Sequence, residues 1–333
     1  AFWIYTSGTT GRPKGVVHLQ HDVTVADLHL RRSLGVKPGD RIFTTSKLFF
    51  AFALGHSFFG GLRAGATVLL YRGWPDARSV IDFVDRERPD LLFSVPAFYR
   101  NLLREGIREH AGFHRLRCCV SAGERLPEQI HQQWLDATGL PILEGIGTSE
   151  SVFLFIANTL DQARPGASGR PLPWAEARLV DDRGREVTEP DTPGMLCIRM
   201  DSLFDRYWNQ QDKTRKAFCD DGWYRTGDTF VFDAEGWWYH CGRSDDMLKI
   251  SGQWVSPSEI EECALSVPQV ADAAVVGSTD EDGLLRTVLF VEPAEGIDTS
   301  ALADRIRKTL TGRLSAYKCP RTIRFIAAIP RTS

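Results

Sequence analysis

Residues 66 to 147 alternate between short apolar runs and amphipathic stretches, and that rhythm leaves few folds open. Ala66-Thr67-Val68-Leu69-Leu70-Tyr71 reads as a buried strand. Val80, Ile81 and Val84 follow at helical spacing, and Leu91-Leu92-Phe93-Ser94-Val95 is the next strand. The spacing then predicts a helix over about 97 to 110, a strand Arg117-Cys118-Cys119-Val120, a helix over about 128 to 137, and a fourth strand opening at Ile142-Leu143. Strands joined through helices run parallel, because a right-handed crossover packs each helix back onto the sheet. Ligands of such sheets sit beyond the carboxyl ends of the strands. In this chain those ends carry Ser94-Val95-Pro96, Ser121-Ala122-Gly123-Glu124 and Glu144-Gly145-Ile146-Gly147-Thr148-Ser149-Glu150. Small and polar residues of this kind suit a site that faces a polar ligand.

The texture changes further on. From about 165 to 240, short runs such as Ala177-Arg178-Leu179-Val180 and Met195-Leu196-Cys197-Ile198 are separated by Gly, Pro and Asp turns, which reads as a small β-rich subdomain. After Arg243 a small α+β domain begins. Ser256-Pro257-Ser258-Glu259 has the form of a capping box with Pro at the first helical position, and Ile260, Cys263, Ala264 and Val267 share one face behind it. Strands are expected at 271–277 and 287–292, and a helix over about 300 to 311 with Gly312 as its stop. The final Ile329-Pro330-Arg331-Thr332-Ser333 looks like a strand running into a turn. The fold class is therefore α/β: a large domain with a mostly parallel sheet and a β-rich subdomain, placed at 1–244, then a small α+β domain at 245–333.

Charge and cysteine usage narrow the function. Lys plus Arg is 40 against 43 Asp plus Glu, which does not supply the basic surface a nucleic-acid binder needs. The longest apolar stretch, Leu48 to Gly55, is far too short to span a bilayer, and no signal peptide is visible. Seven scattered cysteines without C-x-x-C spacing fit reduced thiols in a cytoplasmic protein better than disulfides or a zinc site. The eight histidines form no metal-binding pair.

The strongest chemical signal is Tyr5-Thr6-Ser7-Gly8-Thr9-Thr10-Gly11-Arg12-Pro13-Lys14-Gly15. Its backbone N–H groups, hydroxyls and lysine are the donors a polyphosphate needs. It is not a Walker A loop, because Lys14 is followed by Gly15 and Pro13 stops a helix from starting there. Taken singly, Glu150 would be a solvated acid, Asp228 a turn residue and Arg243 a surface charge. Each becomes a site candidate through the company of the others.

The string resembles the phosphate loop of the adenylate-forming superfamily, which includes acyl- and aryl-CoA ligases, luciferases and peptide-synthetase adenylation domains. Further segments match in order: Gly147-Thr148-Ser149-Glu150, Tyr224-Arg225-Thr226-Gly227-Asp228, Gly242-Arg243-Ser244-Asp245-Asp246-Met247-Leu248-Lys249, and Leu314 to Pro320 with Tyr317-Lys318-Cys319-Pro320. The resemblance implies ATP, Mg²⁺ and CoA as cofactors. It places nucleotide at Thr6, Ser7, Gly8, Thr9, Thr10, Gly11, Lys14, Gly145, Ile146, Gly147, Thr148 and Ser149. It gives Mg²⁺ to Glu150, both ribose hydroxyls to Asp228, ribose and phosphate to Arg243, and the hinge between the domains to Asp245. Ser149, Glu150 and Lys14 are the catalytic candidates.

Within the superfamily, Lys47 to Gly55, Ile146, Ser121 to Glu124 and Ser251 to Pro257 resemble benzoate-CoA ligases. That likeness lines an acyl slot with Ala51, Phe52, Ala122, Gly123, Gly147, Phe153 and Leu154, and the CoA passage with Ser251, Gly252 and Trp254. Phe49, Phe50 and Phe52 also admit a plain core reading. Phe52 and Phe153 stand where benzoate ligases usually carry Tyr and His, which makes the slot greasier and leaves substituted benzoates or heteroaryl acids open. The implied activity is ATP-dependent activation of an aryl acid to an acyl-adenylate, then transfer to CoA. An adenylation unit loading a carrier protein and a non-catalytic nucleotide-binding remnant are the alternatives. The resemblance leaves a homodimer of the full-length protein open. Against the family pattern the chain looks cut at both ends: Ala1 is not Met, and Pro330-Arg331-Thr332-Ser333 stops before the family's adenylation lysine. No remaining lysine is assigned that role, so the expectation is a fragment that adenylates poorly.

Overall fold

The core of the protein is a seven-stranded sheet whose order follows from the crossovers. In the computed structural model, which describes residues 1–6, 13–219, 221–244, 246–250, 253–279, 285–294 and 296–330, the strands lie in the order Thr67–Leu69, Arg41–Thr44, Leu91–Ser94, Cys118–Ser121, Ile142–Gly147, Leu154–Ala157 and Arg170–Pro171. The first five are mutually parallel and the last two join antiparallel. The helices Ala77–Glu87, Pro96–Glu105 and Glu128–Thr138 make the crossovers. Trp134, Tyr99 and Phe113 are fully buried in one apolar cluster, with Trp134 meeting both other rings edge-on. Asp76 caps the first of these helices by accepting the Ser79 N–H at 3.0 Å. Pro96 takes the first-turn position of the second helix.

Several sequence expectations need correction. The helix expected to reach 110 ends at Glu105, because Gly106 turns to φ 85 and a separate short turn, Ile107–Glu109, follows. The strand Arg41–Thr44 is an addition, too short to show a period. The segment after Phe52 is helical, with π-type turns over Ala53–Gly60. No helix among the described residues is long and apolar enough to cross a membrane.

Two further sheets follow. Phe2–Thr6, Lys14–His18 and Arg206–Tyr207 form an antiparallel set. A five-stranded sheet has the order Glu186–Val187, Ala175–Val180, Gly194–Met200, Tyr224–Phe232 and Trp238–Arg243. By its contacts the chain divides into one unit of residues 1–226 and 230–240 and a second of 227–229 and 241–333.

The smaller unit packs helices Pro257–Leu265 and Thr299–Arg313 with the strands Val270–Thr279, Leu285–Pro293 and Thr322–Phe325. Ile260, Ala264, Leu289, Val291, Leu302 and Ile306 are fully buried there. Ser256 caps the first helix by accepting the Glu259 N–H, while the Glu259 carboxylate turns away to Lys318, 2.7 Å from its ammonium. Only one arm of the expected capping box is thus made. Gly312 lies inside the second helix, which continues to Arg313 and stops where Leu314 becomes extended. The last strand ends at Phe325, so Ile329 and Pro330 are not in a strand. All seven cysteines are thiols outside any disulfide.

Candidate active site

The strands that flank the Gly-rich string, Phe2–Thr6 and Lys14–His18, pair antiparallel. Thr6 lies opposite Lys14 and Tyr5 opposite Gly15, which brings the two ends of the loop together. Ser7, Gly8, Thr9, Thr10 and Gly11 lie outside the described residues. Lys14 places its ammonium 4.5 Å from the centre of the Tyr207 ring, a cation–π contact. Two residues beyond Val16 on the same strand face, His18 is wholly buried. Its Nδ1 lies 3.0 Å from the Asp22 carboxylate, and its Nε2 donates to the Ser149 carbonyl at 2.8 Å.

That carbonyl belongs to the turn after strand Ile142–Gly147, which carries Gly145 and Ile146. The turn closes on itself: Val152 N–H donates to the Thr148 carbonyl at 3.0 Å, and the Ser151 hydroxyl accepts from Thr148 N–H at 3.1 Å. Val152 pays for the tight reversal with φ 61, an unusual value for a β-branched residue. Gly147 is needed beside it, because a Cβ there would sit 2.7 Å from the Phe153 carbonyl oxygen. Glu150 is 7% exposed, its Oε1 accepts the Tyr207 hydroxyl at 2.6 Å, and its carbonyl accepts the Phe204 N–H at 2.8 Å. Glu144, in the same segment, is structural; it accepts the Leu126 N–H and the Ser168 hydroxyl.

Small-molecule sites are clefts of about 300–1,000 Å³, and one of 560 Å³ opens beyond the carboxyl ends of strands Leu91–Ser94 and Cys118–Ser121. Phe50, Phe52, Trp74 and Phe98 supply aromatic walls, Ala122 and Gly123 a flat small-residue surface, and Lys47 and Glu124 polar groups. Lys47 donates to the Tyr71 carbonyl at 3.1 Å, and Glu124 accepts the Ala97 N–H at 3.0 Å, fixing the turn that carries Gly123. Of the seven residues expected around an acyl slot, Phe52, Ala122 and Gly123 line this cavity. Ala51, Gly147, Phe153 and Leu154 do not border it. Phe153 and Leu154 are buried in two different apolar clusters. The core reading fails for Phe49 and Phe50, which are 58% and 52% exposed. Trp74, 75% exposed, escaped sequence reasoning; its only signal was a lone tryptophan in a Gly-Trp-Pro loop.

Behind Phe52 lie two histidines that sequence reasoning left unassigned. The rings of His29 and His56 are 5.4 Å apart, and His56 is 5.6 Å from Phe52 and 5.9 Å from Phe153. Burial pushes the His29 pKa down to about 4. Burial, and secondly the neighbouring His29, hold His56 well below the usual imidazole value.

In the smaller unit, Asp228 is 5% exposed and its Oδ1 lies 3.1 Å from Nη1 of Arg243. Gly227 has φ 76, and a Cβ on it would meet Arg243 Nη2 at 2.6 Å. Ser244 N–H donates to the Gly227 carbonyl at 2.8 Å, so the two motif segments are stitched together at this point. On the large-unit side of the same strand, Thr226 donates to the Leu196 carbonyl at 3.0 Å. Asp245, Ser251 and Gly252 lie outside the described residues, and so does the side chain of Trp254.

Among the described residues no group of three or more His, Cys, Asp or Glu side chains could cage a metal ion. Glu150 still suits Mg²⁺, which commonly takes one or two carboxylates and completes its shell with phosphate oxygens and water.

A family model described as AMP-binding enzyme matches residues 1–208, and one described as AMP-binding enzyme C-terminal domain matches residues 259–333. The chain is 55% identical over 334 aligned positions to a 3-hydroxybenzoate–CoA ligase of Aromatoleum sp. (strain CIB), covering 100% of this chain and 64% of that protein. It is also 55% identical to a 3-hydroxybenzoate–CoA/4-hydroxybenzoate–CoA ligase of Thauera aromatica, with the same coverage of 100% and 64%. The crystal structure of the anthranilate CoA ligase AuaEII in complex with anthranoyl-AMP superposes with a TM-score of 0.91 at 36% identity, covering 99% of this chain and 64% of that one. The chain thus spans 64% of the length of these relatives. The family match over more than half of the sequence, and the two-domain adenylate-forming fold that goes with it, establish that the chain belongs to the AMP-binding enzyme family.

Proposed function

We propose that the protein activates an aromatic carboxylic acid of the benzoate type with ATP and passes the acyl group to CoA. The observation that carries this reading is the aromatic-walled cavity on the same sheet edge as the Ser149–Glu150 turn. Phe52 and the Ala122-Gly123 surface suit a flat ring better than a flexible chain. The names of the relatives, two hydroxybenzoate ligases and an anthranilate ligase, support a substituted benzoate.

In this reading the acid's carboxylate attacks the α-phosphorus of ATP and pyrophosphate leaves. The CoA thiol then attacks the acyl carbon and AMP leaves. A carboxylate approaching a polyphosphate is opposed by like charge, so the protein must supply positive potential and donors before reaction. Lys14, Thr6 and the loop that follows take the phosphates, and the Ser149 hydroxyl donates to them. Glu150 holds Mg²⁺, which when bound neutralises phosphate charge. Asp228 accepts both ribose hydroxyls, and Arg243 contacts ribose and phosphate. Phe52, Ala122 and Gly123 hold the aryl ring, and Ser251, Gly252 and Trp254 line the thiol's passage.

The test is a panel of benzoate, 3- and 4-hydroxybenzoate, anthranilate and a medium-chain fatty acid with the complete enzyme, reading AMP and thioester. Hydroxybenzoates should lead and the fatty acid should be inert. AMP release with no preference for aryl acids refutes the substrate class. AMP formation with thioester appearing only on a carrier protein refutes CoA as acceptor.

A further inference from the structure

The Ser149–Glu150 turn is gripped from two sides by residues that belong to none of the sequence motifs. We propose that Tyr207 and His18 are positioning residues for the Glu150 carboxylate, presetting it for a nucleotide-bound divalent cation. The proposal rests on the ATP-dependent reading above.

On one side, the Tyr207 hydroxyl donates to Glu150 Oε1 at 2.6 Å, and the nearby Phe204 N–H donates to the Glu150 carbonyl at 2.8 Å. With one carboxylate oxygen held by a donor, the other is the one presented to a cation. On the other side, His18 donates to the Ser149 carbonyl at 2.8 Å, so it fixes the peptide plane between Ser149 and Glu150. His18 cannot swing away. Asp22 lies 3.0 Å from its other nitrogen, that same Asp22 oxygen accepts the Leu19 N–H at 3.0 Å, and the Phe2 ring stacks on it at 5.1 Å.

The two grips share a frame. Tyr207 pairs with Val16, two residues before His18 on the strand that begins at Lys14. Lys14 also sits over the Tyr207 ring. The phosphate-loop lysine and the metal carboxylate are therefore coupled through one aromatic side chain. The turn needs outside support, since Val152 holds a left-handed conformation that a valine does not choose by itself.

The experiment compares Tyr207→Phe, His18→Leu and His18→Gln with the parent in the complete enzyme. Calorimetric affinities for MgATP and for AMP without magnesium are read alongside the Mg²⁺ concentration giving half-maximal pyrophosphate release. Tyr207→Phe keeps the ring and the Lys14 contact and removes one donor. It should raise the half-saturating Mg²⁺ concentration and weaken MgATP by about threefold to tenfold, the worth of one hydrogen bond, with AMP affinity held. His18→Leu should act in the same direction, and His18→Gln, which can still donate to a carbonyl, should restore part of the loss. Equal weakening of AMP and MgATP in Tyr207→Phe would mark a general structural role and overturn the proposal. So would an unchanged Mg²⁺ requirement in all three variants. A shifted Mg²⁺ requirement in an enzyme that activates no aryl acid would uphold the positioning role and sink the aryl reading instead. A parent that binds no MgATP overturns both.

Discussion

Mild acid should destabilise the large unit, and His29 is the residue to change. His29 and His56 are 2% and 1% exposed, and both nitrogens of His29 and Nδ1 of His56 lack hydrogen-bond partners among the described residues. Phe52, Phe93 and Phe153 surround His56, so nothing there balances an added proton. In the unfolded chain an imidazole takes its proton near pH 6.5, whereas burial holds His29 neutral down to about 4. Between those values the unfolded state binds more protons than the native state. Stability from this source is therefore complete above the unfolded pKa and is lost as pH falls. A drop from 6.5 to about 4, at ~1.4 kcal/mol per pH unit, comes to about 3 kcal/mol. Against a total of about 5–15 kcal/mol for an ordinary domain, that is a large share. His56 and His131, both lowered chiefly by burial, act with the same sign.

Carboxylates add to the loss only at the acid end of this window. Asp76, Asp85, Asp181 and Glu176 of the large unit have lowered pKa values, so what they contribute is lost as pH falls through the ordinary carboxylate range, equally in parent and variant. Glu261 behaves oppositely, because burial raises its pKa, but it belongs to the smaller unit. The assay is urea unfolding from pH 7.5 to 4, followed by tryptophan fluorescence, to which the fully buried Trp134 of the large unit contributes. His29→Phe keeps a ring in place and removes the proton site. Its acid-side loss should be smaller than the parent's by about 3 kcal/mol on reaching pH 4. An identical slope in parent and variant between pH 6.5 and 4 would refute the assignment, and so would a parent whose stability is flat across that range.

Three other substitutions probe the frame and the nucleotide contacts. Gly169→Ala should destabilise the large unit by about 3 kcal/mol or more, because its Cβ would sit 2.0 Å from the Ala157 carbonyl carbon at φ 118; thermal unfolding checks it. Asp228→Asn should weaken AMP by about tenfold to a hundredfold, the range for hydrogen bonds to a charged group, with the melting temperature little changed, as read by calorimetry and a thermal scan. Gly227→Ala should cost about 1 kcal/mol in stability for its left-handed backbone and also lower AMP affinity, since its Cβ would displace the Arg243 guanidinium; the same two measurements check both effects.

What could be read from the sequence was whatever repeats or stands close together in the chain. The strand–helix rhythm of residues 66 to 147 appears in the sheet, because period and burial are local properties. Arg41–Thr44 escaped, since four residues between turns carry no period, although it is the second strand of the sheet. Gly312 misled because a glycine ends a helix only where the backbone turns left-handed, and here it stays within Thr299–Arg313. The site divides in the same way. Ser149, Glu150, Asp228 and Arg243 stand in contiguous strings. Tyr207 and His18 meet them across 57 and 131 positions of the chain, and no spacing announces such a meeting.

The histidines show why residue type alone could not sort the buried polar groups. His18 and His29 lie 11 positions apart and are 0% and 2% exposed. His18 has oxygens 3.0 and 2.8 Å from its two nitrogens, supplied by Asp22 four residues on and by Ser149 from a distant strand end. His29 meets the His56 ring and has no partner for either nitrogen among the described residues, and burying an imidazole there costs stability whenever a proton is available. The same side chain is thus a fastening in one place and an acid-labile point in the other. The difference lies wholly in which acceptors the tertiary fold brings up. Exchanging the two environments would require moving Ser149, and with it the carboxylate of Glu150. The Glu150 carboxylate and the paired histidine are therefore one structural unit, and the acid response falls to the pair in which three of four ring nitrogens lack partners among the described residues.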